Sequence, residues 1–456
     1  MSSPLIPAEP LAPPATPTPE PGWRYARSST SLSEVHGSLA VPGAGATFWQ
    51  RFRAYWGPGL LVAVGYMDPG NWATDLAGGA RFGYTLLSVV LVSNLFAMLL
   101  QHLAAKLGIV TGRDLAQACR DSYSRPVSLA LWVLCEVAIA ACDLAEVIGS
   151  AIALNLLFKL PLAWGVVFTT LDVLVVLLLQ NKGFKIIESL VAGLIFLIFL
   201  CFLYEIVASH PHWLGIAQGL VPQPAVVTNP AMLYVAIGIL GATVMPHNLY
   251  LHSSIVQVRQ VEPTEAGKRS AIKFSTIDST VALFLAFFVN AAILVTAAAT
   301  FHGKGHDDVA DISDAHSLLN GVLGVGAASA VFAIALLASG QSSTLTGTLA
   351  GQIVMEGFLN LRLKPWVRRL ITRLVAVVPA LVVALFYGEK DLGKLLVFSQ
   401  VILSLQLPFA VIPLVLFTSD KLKMGPFVNK PLVMATAWAV AGLILVLNGY
   451  LLWQMV

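Results

Sequence analysis

From about residue 57 onward the chain alternates long apolar runs with short polar connections, and each run is about 20 residues or longer, enough to cross a hydrocarbon layer of about 30 Å as a helix. The runs predict eleven spanning helices at about 57–80, 84–107, 127–158, 161–180, 188–208, 231–257, 274–301, 321–342, 366–387, 393–417 and 432–453. Residues 1–47 have a different texture, with Pro4, Pro7, Pro10, Pro13, Pro14, Pro17, Pro19 and Pro21 set among Ser, Thr and Ala. Such a stretch buries too little apolar surface to offset its ordering entropy, so it reads as a disordered cytoplasmic tail ahead of a transmembrane domain over 48–456. It has neither the basic start nor the continuous apolar run of a secretory signal.

Composition agrees with this pattern. Hydrophobic residues make up 57% of the chain and charged residues 11%, against roughly 25% charged in a soluble domain, and the mean hydropathy of +0.80 excludes a single soluble core. The net charge of +3 gains meaning from its placement. With the N-terminus inside, the tail and even-numbered loops carry 22 Lys and Arg and the opposite side 5. That asymmetry predicts a cytoplasmic N-terminus, an external C-terminus and an odd number of spans. The expected surroundings are a lipid bilayer, with no nucleic-acid partner and a monomer as the working unit. Cys119, Cys135, Cys142 and Cys201 lie in or beside apolar helices, where they read as small hydrophobes and not as a disulfide framework.

Two spans are interrupted. The first holds Gly65-Tyr66-Met67-Asp68-Pro69-Gly70-Asn71 and the sixth Gly241-Ala242-Thr243-Val244-Met245-Pro246-His247. Proline removes a backbone donor and clashes with the preceding turn, while glycine permits unwinding. A loop between two short buried helices is the alternative for the first, but its apolar flanks sum to one crossing. The breaks are five spans apart, so they cross in opposite directions, as an inverted repeat of five plus five helices requires: 57–208, then 231–417, with 432–453 an added helix. Broken helices in matching positions are the best pointer in a sequence to a transporter's binding site.

The residues at the breaks suit a cation. Asp68 costs about 2.5–3.5 kcal/mol at the membrane centre if left to lipid. Asn71 adds an amide oxygen, and the unwound turns free carbonyls such as those of Gly65 and Ala242. Met245 adds a soft thioether, of little use to Mg²⁺ or Ca²⁺ but acceptable to Mn²⁺, Fe²⁺, Co²⁺ and Cd²⁺. Span three carries Glu136, Asp143 and Glu146 on one face, either paired for stability or marking an ion or proton route. His247 can titrate near neutral pH or simply space the turn. Arg368, Arg369 and Arg373 begin span nine, where positive-inside anchoring is a sufficient reading for Arg373.

Asp68-Pro69-Gly70-Asn71 in the first helix, with Met245-Pro246-His247 in the sixth, resembles the signature of the Nramp family of proton-coupled divalent-metal transporters, in particular the bacterial manganese symporters. The resemblance extends over nearly all of 50–456, including Gly340–Phe358 and Phe398–Pro408. It implies a fold like that of the sodium-coupled leucine transporters, import of Mn²⁺ and related ions with H⁺ across the bacterial cytoplasmic membrane, and no permanent cofactor. It further implies metal contacts from Asp68, Asn71, Met245 and the Ala242 carbonyl, with Gln400 joining on occlusion. Where many relatives have alanine, this chain has Gly65, whose carbonyl remains available. By the same resemblance Arg368 and Arg369 line a proton path with the span-three acids, and Asn94 and Asn290 line an outer vestibule. Two rivals remain open, a sodium-coupled amino-acid transporter of the same fold and an Nramp-related magnesium transporter. A membrane enzyme has no support, since the sequence offers no nucleophile–base constellation.

Overall fold

A computed structural model of the chain describes residues 18–27, 30–43, 45–171, 184–305, 312, 315, 328–361, 364–386 and 389–455. Nearly all of it is helix. In chain order the helices are α1 (Phe48–Tyr55), α2 (Pro58–Gly65), α3 (Pro69–Phe82), α4 (Leu87–Thr111), α5 (Leu115–Ser122), α6 (Arg125–Phe158) and α7 (Leu162–Phe168). They continue as α8 (Phe184–Ser209), α9 (Trp213–Gly219), α10 (Ala225–Thr228), α11 (Pro230–Thr243), α12 (Pro246–Ile255) and α13 (Glu265–Thr300). The last are α14 (Ala328–Leu359), α15 (Pro365–Phe386), α16 (Glu389–Ser419), α17 (Lys421–Met424) and α18 (Pro431–Met455). Among the described residues, eight helical stretches are long and apolar enough to cross a bilayer, the α11–α12 stretch counting as one. The fold is an all-α, multi-span membrane fold.

The two interruptions fall at the expected places. In the first, α2 stops at Gly65 and α3 restarts at Pro69, with Asp68 as its N-cap accepting from the Asn71 amide. In the second, α11 stops at Thr243 and α12 restarts at Pro246 behind Met245. Proline at the first helical position loses nothing there, because that N–H has no intrahelical partner anyway. Both pairs lie in the centre of the bundle. The flanking helix α13 packs along α2, α3 and α4, α16 lies against α11, α6 and α3, and α14 covers α6 and α8.

Two expectations need correction. Span eight, placed at 321–342, runs instead to Leu359 as α14, its expected start lying outside the described residues. Its second half is rich in hydroxyls and glycine, which lowers hydropathy, yet it is buried. The hydroxyls are satisfied within the helix: Ser343 Oγ donates to the Ser339 carbonyl at 2.9 Å and Thr348 Oγ1 to that of Thr344 at 2.6 Å. Such back-bonding makes a polar sequence tolerable in an apolar setting. Span four, expected at 161–180, is described only to residue 171.

The second correction concerns the tail, which is docked over its described part. Trp23 is buried under the Arg113 guanidinium, 4.2 Å from the ring centroid, and near Phe417. Ser31 Oγ donates to Asp114 Oδ2 at 2.6 Å, and the Leu32 amide donates to Glu356 Oε2 at 2.9 Å. Leu39–Ala40 forms a short parallel strand pair with Arg259–Gln260. Composition misses this because two apolar anchors and a few polar contacts, not a core, hold the segment.

Candidate functional site

Four half-helix ends meet at the two breaks. The C-terminal ends of α2 and α11 present carbonyls, and the N-terminal ends of α3 and α12 present amides with their partial positive charge. Asp68, Asn71 and Met245 are at most 1% exposed, so the centre is closed to solvent on both sides.

Asn71 organises the group. Its Nδ2 lies 2.7 Å from Asp68 Oδ1, 3.2 Å from the Ala242 carbonyl and 3.3 Å from the Gly65 carbonyl. An amide nitrogen carries two hydrogens, so three oxygens converge where only two can be fully served. Such a ring of oxygens could serve a positive group that makes more than two contacts. Turning the Asn71 amide over would add its own oxygen to the same ring. From the far side, Asn290 Nδ2 donates to the Tyr66 carbonyl at 2.8 Å and to Asn71 Oδ1 at 3.3 Å.

Sulfur lies beside this ring. Met245 shares a buried cluster with Ala138, Ala141, Cys142 and Leu403. Cys142 Sγ is 4.0 Å from Asp68 Oδ2 and 3.8 Å from Glu146 Oε1, so it stands between the two carboxylates. Gln400 reaches the first turn of α3: a Cβ at Gly70 would overlap its Nε2, and its buried Oε1 has no partner among the described residues. Gly241 likewise lets the α16 backbone approach α11 at Gln400. His247, in the first turn of α12, is buried with Nδ1 unpartnered among the described residues.

The acidic face of α6 divides. Glu146 accepts from Thr344 Oγ1 at 2.9 Å and pairs with Arg373 at 3.4 Å, and Arg373 Nη2 also donates to Thr344 Oγ1 at 3.2 Å. Asp143 lies beside it across Gly347. Glu136, about 15 Å further along the axis, is half-buried and accepts from the Trp132 indole at 3.1 Å. The reading of Arg373 as an interfacial anchor therefore fails, because its side chain is buried on Glu146. The side chains of Arg368 and Arg369 lie outside the described residues. Asn94 is buried in α4 and makes no described contact with the Asp68 group, whereas Asn290, expected in a vestibule, touches Asn71 directly.

The closure around α2 was not legible in the sequence. Asp278 accepts from the Gly59 amide at 2.6 Å and the Gly57 amide at 3.3 Å, capping the start of α2. Arg259 pairs with Glu188 at 2.6 Å and donates to the Trp56 carbonyl at 3.0 Å. Nearer the break, Gln101 Nε2 donates to Tyr66 Oη at 2.8 Å, and its Oε1 is 3.0 Å from His252 Nδ1. Each of these polar residues looks like an isolated helix residue until the fold brings its partner. Among the described residues no three His, Cys, Asp or Glu side chains gather as a metal cluster.

Comparison with known proteins places the whole arrangement in context. The family profile described as "Natural resistance-associated macrophage protein-like", Nramp, matches residues 59–454. A divalent metal cation transporter, MntH, of Listeria innocua is 62% identical over 430 residues, covering 94% of this chain and 96% of that protein. The crystal structure of a manganese transporter from Eremococcus coleocola is similar at a TM-score of 0.86 and 45% identity, with 92% of this chain and 90% of that chain covered. Mhp1, a nucleobase-cation-symport-1 family transporter, matches in fold at a TM-score of 0.56 and 16% identity, over 87% of this chain and 90% of its own.

Proposed function

Since this chain belongs to the Nramp family, we propose that it imports divalent transition-metal ions, Mn²⁺ first among them, together with protons across the bacterial cytoplasmic membrane. The single observation that carries the reading is the surplus of acceptor oxygens around the Asn71 amide; Met245 is buried in the cluster that also holds Cys142, whose Sγ is 4.0 Å from Asp68 Oδ2. Asp68, Asn71 through its turned amide, the Gly65 and Ala242 carbonyls and Met245 are the proposed ligands, with Gln400 closing over the ion. Relatives named for divalent metal and manganese support the cargo. The thioether disfavours magnesium as the natural substrate, and the rival amino-acid reading has no support in the family.

A dication arriving at Asp68 favours its ionised form and releases a proton. Cys142 and Glu146 lie on one side of that carboxylate, and Asp143, Thr344 and Arg373 continue the polar line, which we assign to the proton. The metal then leaves as α2 swings from its cap on Asp278 and the Arg259–Glu188 pair. Eleven spans in a five-plus-five repeat, with the N-terminus inside and the C-terminus outside, complete the proposal. They match the charge asymmetry, and labelling of single cysteines by an impermeant thiol reagent tests the sides.

The decisive experiment is Mn²⁺ uptake into vesicles under an inward proton gradient. Asp68→Ala is expected to abolish uptake, and Met245→Ala to weaken Cd²⁺ binding by at least about tenfold while changing Mg²⁺ competition little. Undiminished Cd²⁺ affinity in Met245→Ala would remove the sulfur from the site.

A further inference from the structure

Away from the transport site, the corner between α5 and α6 holds a cavity of about 460 Å³ roofed by Tyr25 of the N-terminal segment and walled by the end of α14 at Phe358. Two arginines face it. Arg120 uses Nε on Asp121 Oδ1 at 3.0 Å, but its buried Nη1 has no hydrogen-bond partner among the described residues. Arg125, also lining the cavity, is exposed and is the first residue of α6; no hydrogen bond or ion pair of its side chain is found among the described residues.

The one carboxylate in the cavity is already engaged. Asp121 Oδ2 takes Arg113 Nε at 2.9 Å and its Oδ1 takes Arg120. Arg113 has a second acid, Glu20, at 2.8 Å. What is left over is one buried guanidinium nitrogen and one free guanidinium, both positive, beside the neutral Ser128 on the cavity wall. The first turn of α6 adds its partial positive charge, because Ser124 makes no side-chain cap and no acid occupies that turn.

The rim of the cavity is apolar on its outer side. Val127 and Leu129 of α6 are 46% and 47% exposed, the composition of a surface meeting acyl chains, and Leu129 is also part of the cavity wall. Basic pockets at the ends of spanning helices bind phosphate-bearing headgroups. We propose that this cavity seats the phosphodiester of an anionic phospholipid, with Arg120 and Arg125 on the phosphate oxygens and the acyl chains lying along Val127 and Leu129. The headgroup would thereby tie the N-terminal segment to α6 and α14.

The test is native mass spectrometry of the full chain released from phosphatidylglycerol or phosphatidylcholine micelles, with inorganic phosphate added in a parallel series. Phosphatidylglycerol is expected to stay bound in preference to phosphatidylcholine. Arg125→Gln, which leaves the Arg120–Asp121 pair intact, and Arg120→Gln should each lower its retention about fivefold. Equal retention of the two lipids, or undiminished retention in Arg125→Gln at unchanged melting temperature, overturns the site. Displacement of the lipid by equimolar inorganic phosphate overturns the lipid as its occupant.

Discussion

Arg373 and Glu146 meet with both side chains almost wholly removed from solvent. Taking away the cation alone deprives a buried carboxylate of this counter-charge, and breaking such a pair costs about 3–5 kcal/mol in comparable cases. Arg373→Met is therefore expected to lower the melting temperature sharply in detergent. The double replacement with Glu146→Leu should recover much of the loss, since a matched apolar pair carries no desolvation penalty. A single variant as stable as the parent would show that the pair does not support the fold. Residues of this kind mark the limit of what the sequence discloses. Asp68, Asn71 and Met245 stand out in the sequence as candidates because a charge, an amide and a sulfur lie beside helix-breaking prolines. Arg373 and Cys142 do not, because an arginine at a helix start and a cysteine in an apolar helix each have an ordinary explanation. Only the third dimension sets one on Glu146 and the other between two carboxylates.

Among the elements, α2 shows most clearly how packing seats a helix, here one that we propose to move in transport. Gly57 precedes it with a φ of +136°, a conformation that side chains rarely adopt, and a Cβ there would overlap the Glu188 carboxyl. Gly57→Ala should thus disturb the Arg259–Glu188 pair and loosen the seat of α2 on Asp278. The expected result is faster labelling of a cysteine introduced at Ala63, read against a low background because all four native cysteines are free and buried. Unchanged labelling would mean that the start of α2 does not hold the closed form. The position of α2 was legible from the apolar run that begins near residue 57 and the break at Gly65, but its latch was not, because Glu188, Arg259 and Asp278 are far apart in sequence. The true length of α14 was hidden for a different reason: hydropathy counts its hydroxyls as polar, whereas the helix spends them on its own carbonyls.

At the scale of the whole molecule, the N-terminal segment links ends that are distant in the chain: Arg113 and Asp114 before α5, Glu356 in α14, Phe417 in α16 and Arg259 beyond α12. Deleting residues 1–43 should expose Phe417 and the Arg113 guanidinium, which Trp23 covers, to the aqueous phase. A fall of several degrees in melting temperature is expected, with Trp23→Ala giving a smaller fall in the same direction. Identical melting curves would leave the segment without a structural role.

The Asn71 amide bears on energetics in a way that reaches the whole cycle. Its N–H groups lie where the oxygens converge, so an unloaded carrier is not left with a ring of mutually repelling acceptors at its centre. With the proposed ligand set, internal donors standing in for cargo would ease the empty return step, which favours net accumulation over obligatory exchange. Manganese sealed inside vesicles should accordingly give little acceleration of tracer entry, and strong trans-stimulation would show that the empty form cannot reorient by itself.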